Sequence, residues 1–148
     1  MKFAFAKNGQ SLVPKLIALW TGGPHFHVEA VFSDNTSFGA LPVGSMRTEY
    51  QKDKVYDPKY WDFVDIPCTL EQEIELRKWC DTEVGCKYDW YGIIMAQVFG
   101  LRRSHPNEWF CSEICVAMLQ RLGYFLSKTP CTISPNKLYK MIFKGDFK

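Results

Sequence analysis

The chain has 148 residues, 47% apolar and 16% aromatic, with a formal charge of only +2, which is enough core for one domain that folds without cross-links. Its lysines and arginines are scattered, which argues against the basic footprint of a nucleic-acid binder, and no stretch is apolar for long enough to span a membrane. The opening "MKFAFAKNGQ" is too brief an apolar patch for a signal peptide, so the expected location is the cytoplasm.

Six cysteines, Cys68, Cys80, Cys86, Cys111, Cys115 and Cys131, include no CxxC pair. Without an export signal they read as reduced thiols, most of them small core hydrophobes.

In chain order, "KFAFA" reads as a short strand. "SLVPKLIALWTGG" reads as a helix with Ser11 as N-cap, Pro14 in the first turn and Gly22 at the stop. "HFHVEAVF" and "TSFGA" flank a Ser33, Asp34, Asn35 turn and form a hairpin. "RTEYQKDKVYDPKY" is polar and expected to be loop, and "WDFVDIP" is a further strand ended by Pro67. "TLEQEIELRKWCDTEVG" starts with Thr69 and Gln72 at capping-box spacing and ends at Gly85, with Ile74, Trp79 and Val84 as its apolar positions. "DWYGIIMAQVFG" is an almost wholly apolar helix for which Asp89 is the simplest N-cap. The loop "LRRSHPNE" leads into a helix beginning near Cys111, and "SPNKLYKMIF" closes the chain behind Ser134 as N-cap and Pro135 at N1. The fold class is α+β.

Chemistry concentrates in "EWFCSEICVAML". Cys111, Cys115, Met118 and Leu122 make one helical stripe, widened by Ile114 and Leu119, so the helix faces the core with Cys111 in its first turn. There the positive end of the helix dipole favours the thiolate, the reactive form. A nucleophile also needs a base. Strand alternation puts His25, His27 and Glu29 on one face of "HFHVEAVF", whereas His105 lies in a loop. A Cys–His pair meeting across a cleft would supply nucleophilic catalysis. The same residues allow a metal reading, with His25, His27, Glu29 and Cys111 as four ligands of a zinc ion.

The segment order "LIALWTGGPHFHVEAVF", "SFGALPVGS", "GCKYDWYGI" and "WFCSEICVAML" resembles the circularly permuted NlpC/P60, or papain-like, cysteine amidases and peptidases. More narrowly, it resembles their YaeF/YiiX-like group. The likeness runs from Ser11 to "ISPNKLY", and the histidine strand precedes the cysteine helix, as in the permuted group. It implies an antiparallel sheet packed against helices, with the cysteine opening a central helix. It implies Cys111 as nucleophile and His27 as general base, the latter because "HVEAVF" matches the group's histidine followed by an apolar strand residue. The group's third residue, a carboxylate on the next strand, has no counterpart in "SFGA". Glu29 is the candidate orienting residue, with Ser37 as its rival. The implied activity is cleavage of an amide or ester in a peptide, isopeptide or acyl substrate through a covalent acyl-enzyme, with no cofactor. Acyl transfer, or a decayed ligand- or lipid-binding protein of the same fold, are the alternatives.

Overall fold

A computed structural model of the chain describes residues 1–9, 15, 19, 21–42, 44–93, 95 and 107–145. The architecture is mixed α and β: a five-stranded antiparallel sheet, a two-stranded parallel ribbon and helices packed on them. The sheet holds β1 (Lys2–Ala6), β2 (His27–Val31), β3 (Ser37–Ala40), β4 (Thr48–Gln51) and β5 (Trp61–Asp65) in the order β4-β3-β2-β1-β5. The helices are α1 (Leu70–Glu83), the short α2 (Trp90–Ile93), α3 (Cys111–Arg121) and α4 (Pro135–Phe143), and the ribbon pairs β6 (Lys87–Tyr88) with β7 (Glu108–Trp109).

Side-chain alternation decides which face of the sheet does what. Phe3 pairs with Ala30 and Phe5 with Val28, so these four share one face. They join Ile114, Cys115, Met118 and Leu119 of α3 in a continuous buried core. Each fully buried phenylalanine here contributes on the order of 3 kcal/mol of apolar burial. On the opposite face His27 pairs with Ala6 and Glu29 with Ala4, and β5 continues both rows with Trp61 and Phe63. Two alanines on the middle strand therefore leave side-chain room between β2 and β5.

The hairpin forms as the sequence predicts, with Ala30 opposite Phe38, Val31 opposite Ser37, and Asn35 in the left-handed region at φ 64°. The capping box on α1 is complete: Thr69 Oγ1 accepts from the Gln72 amide at 3.2 Å, and Gln72 Oε1 accepts from the Thr69 amide at 2.9 Å. Asp89 accepts from the Gly92 amide, as an N-cap should, and Ser134 Oγ accepts from the Lys137 amide at 3.3 Å.

Three expectations need correction. Residues 48–51, expected to be loop, form the edge strand β4, whose polar composition suits a strand with one open side. The face of α1 that packs inward carries Glu73, Leu76 and Cys80, while Ile74 and Val84 are exposed. Glu73 can be buried because its Oε1 accepts from both the amide and the hydroxyl of Ser33, each at 2.8 Å. Residues 87–88 and 108–109, neither read as strand, form the parallel ribbon. Most of the predicted helix at 11–23, including its Ser11 cap, most of that at 89–100, and His105 lie outside the described residues.

Candidate active site

The edge of β2 positions the site. Ladder pairing between β2 and β3 covers Ala30 and Val31. Upstream of it, α3 takes the neighbouring strand's place: Cys115 Sγ donates to the Val28 carbonyl at 3.8 Å, and the Val28 amide hydrogen-bonds the Cys111 sulfur. This docking brings the first turn of α3 against the residue before Val28, which is His27.

Cys111 is the first residue of α3, and the residue before it, Phe110, provides no side-chain cap. Helix starts usually carry Ser, Thr, Asp or Asn in that place, so a cap has been given up where positive dipole faces a thiol. The ribbon adds a further group. Tyr88 lies beside Trp109, two residues before the helix, and its hydroxyl donates to Cys111 Sγ at 4.0 Å. Trp90 packs on the Tyr88 ring at 4.9 Å between centroids and walls this side.

The imidazole of His27 is buried with Nε2 turned to Glu29 Oε2 at 3.4 Å. Burial alone would drive its pKa down. Hydrogen bonding and charge from Cys111, and then from Glu29, outweigh burial and raise it to about 9. Burial likewise would push the Cys111 thiol up, yet His27, the Val28 amide and the Tyr88 hydroxyl bring it below the ordinary thiol value. The two directions agree, since each group favours the charged form of the other. Cys115, one turn further on, is pushed well above the ordinary value by burial and by Cys111, and is an inert core thiol.

Glu29 is almost fully buried and fully satisfied. Lys54 Nζ donates to Oε2 at 2.7 Å, the Tyr56 hydroxyl donates to Oε1, and His27 shares Oε2. Burial favours the neutral acid, but His27 and Lys54 overcome it and hold the carboxyl at about 2. Lys54 and Tyr56 belong to the segment between β4 and β5. That segment turns back through Asp57, whose Oδ1 accepts from the Lys59 amide at 2.8 Å. The Tyr56 ring then packs edge-on against Trp61 at 5.0 Å and Phe63 at 5.3 Å. The next strand leaves space for Glu29: a Cβ on Gly39 would lie 3.0 Å from Glu29 Cβ. Glycine therefore occupies β3 where a third polar residue was sought.

The predicted residues thus divide. Cys111, His27 and Glu29 come together. Ser37 is paired through the Tyr56 hydroxyl and is not a partner of His27. His25 does not share the face of His27, because β2 begins at His27. Its Nε2 instead meets Asp62 Oδ2 at 2.8 Å, its ring packs on Tyr139 at 4.1 Å, and its amide donates to Asn136 Oδ1. The four-ligand metal reading is consequently not assembled, and among the described residues no group of three or more His, Cys, Asp or Glu side chains could hold a metal ion. Tyr88, Lys54 and Tyr56 were missed. For Tyr88 the sequence signal was its place in "GCKYDWYGI"; Lys54 and Tyr56 lie in a stretch expected only to be polar loop. Comparison with family models, curated proteins and solved structures gave no significant match.

Proposed function

We propose that the protein is a thiol hydrolase of the permuted papain-like type that cleaves an amide or ester bond through a covalent acyl-enzyme. The observation that carries this reading is the buried Cys111–His27 pair at a helix N-terminus, with Glu29 Oε2 at 3.4 Å from the imidazole Nε2. The Cys111 thiolate attacks the carbonyl carbon, and its electron pair becomes the new S–C bond. The developing oxyanion has two donors beside Sγ, the Cys111 amide at the helix start and the Tyr88 hydroxyl. When the C–N or C–O bond breaks, the His27 imidazolium gives its proton to the leaving amine or alcohol. The neutral imidazole next takes a proton from water, the hydroxide attacks the thioester, and the acid leaves with the thiol restored.

The reading of a decayed binding protein rested on the lack of a carboxylate in "SFGA". Glu29, in the space beside Gly39, removes that reason. The test is incubation with an activated ester, followed by mass analysis of the intact chain and of its peptides. An acyl group on Cys111 that forms in the wild type and is lost in His27→Ala supports the proposal. Equal, unselective labelling of several cysteines overturns it.

A further inference from the structure

Three donors converge on the Glu29 carboxylate, and two of them compete for one oxygen. Oε2 lies 2.7 Å from Lys54 Nζ and 3.4 Å from His27 Nε2, while Tyr56 holds Oε1 and prevents the carboxylate from turning to serve the two cations separately. The tighter contact belongs to the lysine. Its ammonium is held in turn by aromatic faces, 4.6 Å from the Trp61 centroid and 5.4 Å from that of Tyr56. Trp61 also meets the His27 ring edge-on at 6.3 Å, so lysine and imidazole are both packed on one indole.

From this geometry we propose that Lys54 is a positioning residue that sets, through its hold on Glu29 Oε2, how strongly the carboxylate stabilises the His27 imidazolium. A purely structural lysine would only anchor the segment between β4 and β5. One that shares the oxygen also weakens the field at His27, and so keeps the imidazolium acidic enough to release its proton to a leaving group. That matters chemically, because a general acid held too firmly by its carboxylate is a poor proton donor near neutral pH. Among the described residues, the titratable or charged groups that act on His27 are Glu29 on its own strand, Cys111 on α3, and Lys54 through Glu29. Tyr88 on β6 acts through Cys111, Tyr56 acts through Glu29, and β5 presents the uncharged Trp61.

The catalytic meaning of Lys54 rests on the Cys111–His27 reading, whereas its test reads the His27 ring itself. The measurement is the NMR titration of His27 in protein labelled in its histidines, assigned by comparison with His27→Ala. Lys54→Met keeps most of the aliphatic stem and removes the charge. It should raise the His27 midpoint by about two pH units, since an ammonium no more than about 6 Å from the ring no longer opposes its proton. Lys54→Arg keeps the charge and should titrate as wild type. A Lys54→Met midpoint that is unchanged or lowered, in protein whose remaining spectrum is native, overturns the proposal. An arginine variant that behaves like the methionine one does so too. If the midpoint rises as expected but Cys111 acylates no faster than the other thiols, the field effect stands and the hydrolase reading fails.

Discussion

Replacing Glu29 by glutamine tests the third member of the site most sharply, because the shape is kept and the charge is removed. The imidazolium then loses an attraction that, at the 3.4 Å separation and an effective dielectric of 20, is about 5 kcal/mol. Lys54, whose side chain is about a quarter exposed, no longer has an anion to hold and turns to solvent. That removes a repulsion on His27 of about 3 kcal/mol from roughly 6 Å away. The net loss of about 2 kcal/mol corresponds to a His27 pKa lower by between one and two units. With a weaker imidazolium beside it, Cys111 needs a higher pH to become thiolate. The assay is the rate of iodoacetamide alkylation of Cys111 across pH, read by peptide mapping, which needs no knowledge of the substrate. At pH 6 the rate should fall by roughly 10- to 100-fold, with the whole profile moved to higher pH and not merely scaled down. An alkylation profile identical to wild type would refute the reasoning, the more so beside a clear loss in Ser37→Ala.

Cys111→Ser should abolish both acylation and turnover, while Cys115→Ser, at an inert thiol, should retain them; mass analysis with an activated ester distinguishes the two. The pH dependence of hydrolysis should be bell-shaped. As pH falls through the lowered Cys111 value the thiolate is lost, and as it rises through about 9 the imidazolium is lost, so kcat/KM should decline on the alkaline side near that value. His25→Ala should leave the alkylation profile in place, since His25 pairs with Asp62, whereas His27→Ala should shift Cys111 reactivity into the ordinary thiol range. Gly39→Ala should slow alkylation and lower the melting temperature, because its Cβ must displace Glu29 from a 3.0 Å contact.

What could be read in advance was whatever is local. Alternation in "KFAFA" and "HVEAV", the turn residues 33–35, the Thr69 capping box and the Ser134–Pro135 start are all signals within a few residues, and each element formed. Cys111 and His27 were legible for the same reason, one from its place at the start of an apolar helical stripe and the other from its place on a strand. Edge strand β4 was not legible. Thr48, Glu49, Tyr50 and Gln51 show no apolar alternation, and the strand exists because β3 offers a free ladder. Two-residue strands such as β6 and β7 are too short to show any period, so Tyr88 could not be placed beside Cys111. Lys54 and Tyr56 lie 25 and 27 residues from the carboxylate they bind, in a segment whose composition reads only as polar.

The choice of Glu29 shows how a position that looks poor in sequence becomes workable in space. Residues two apart on a strand project in parallel about 7 Å from each other, so a glutamate ordinarily cannot meet an imidazole on its own strand as well as a partner on the next strand could. Here both flanking strands give way. Gly39 leaves β3 without a side chain against Glu29 Cβ, and Ala4 and Ala6 keep β1 low beneath the pair. The long glutamate can then lean along the strand, and Tyr56 on one oxygen with Lys54 on the other fixes it in that attitude. Small residues on the neighbouring strands and two donors from a loop thus supply the orientation that a carboxylate on the following strand would have provided by position alone. The same arrangement accounts for the 3.4 Å separation, longer than a strong charge-assisted hydrogen bond: the carboxylate is aimed at His27 but held by Lys54.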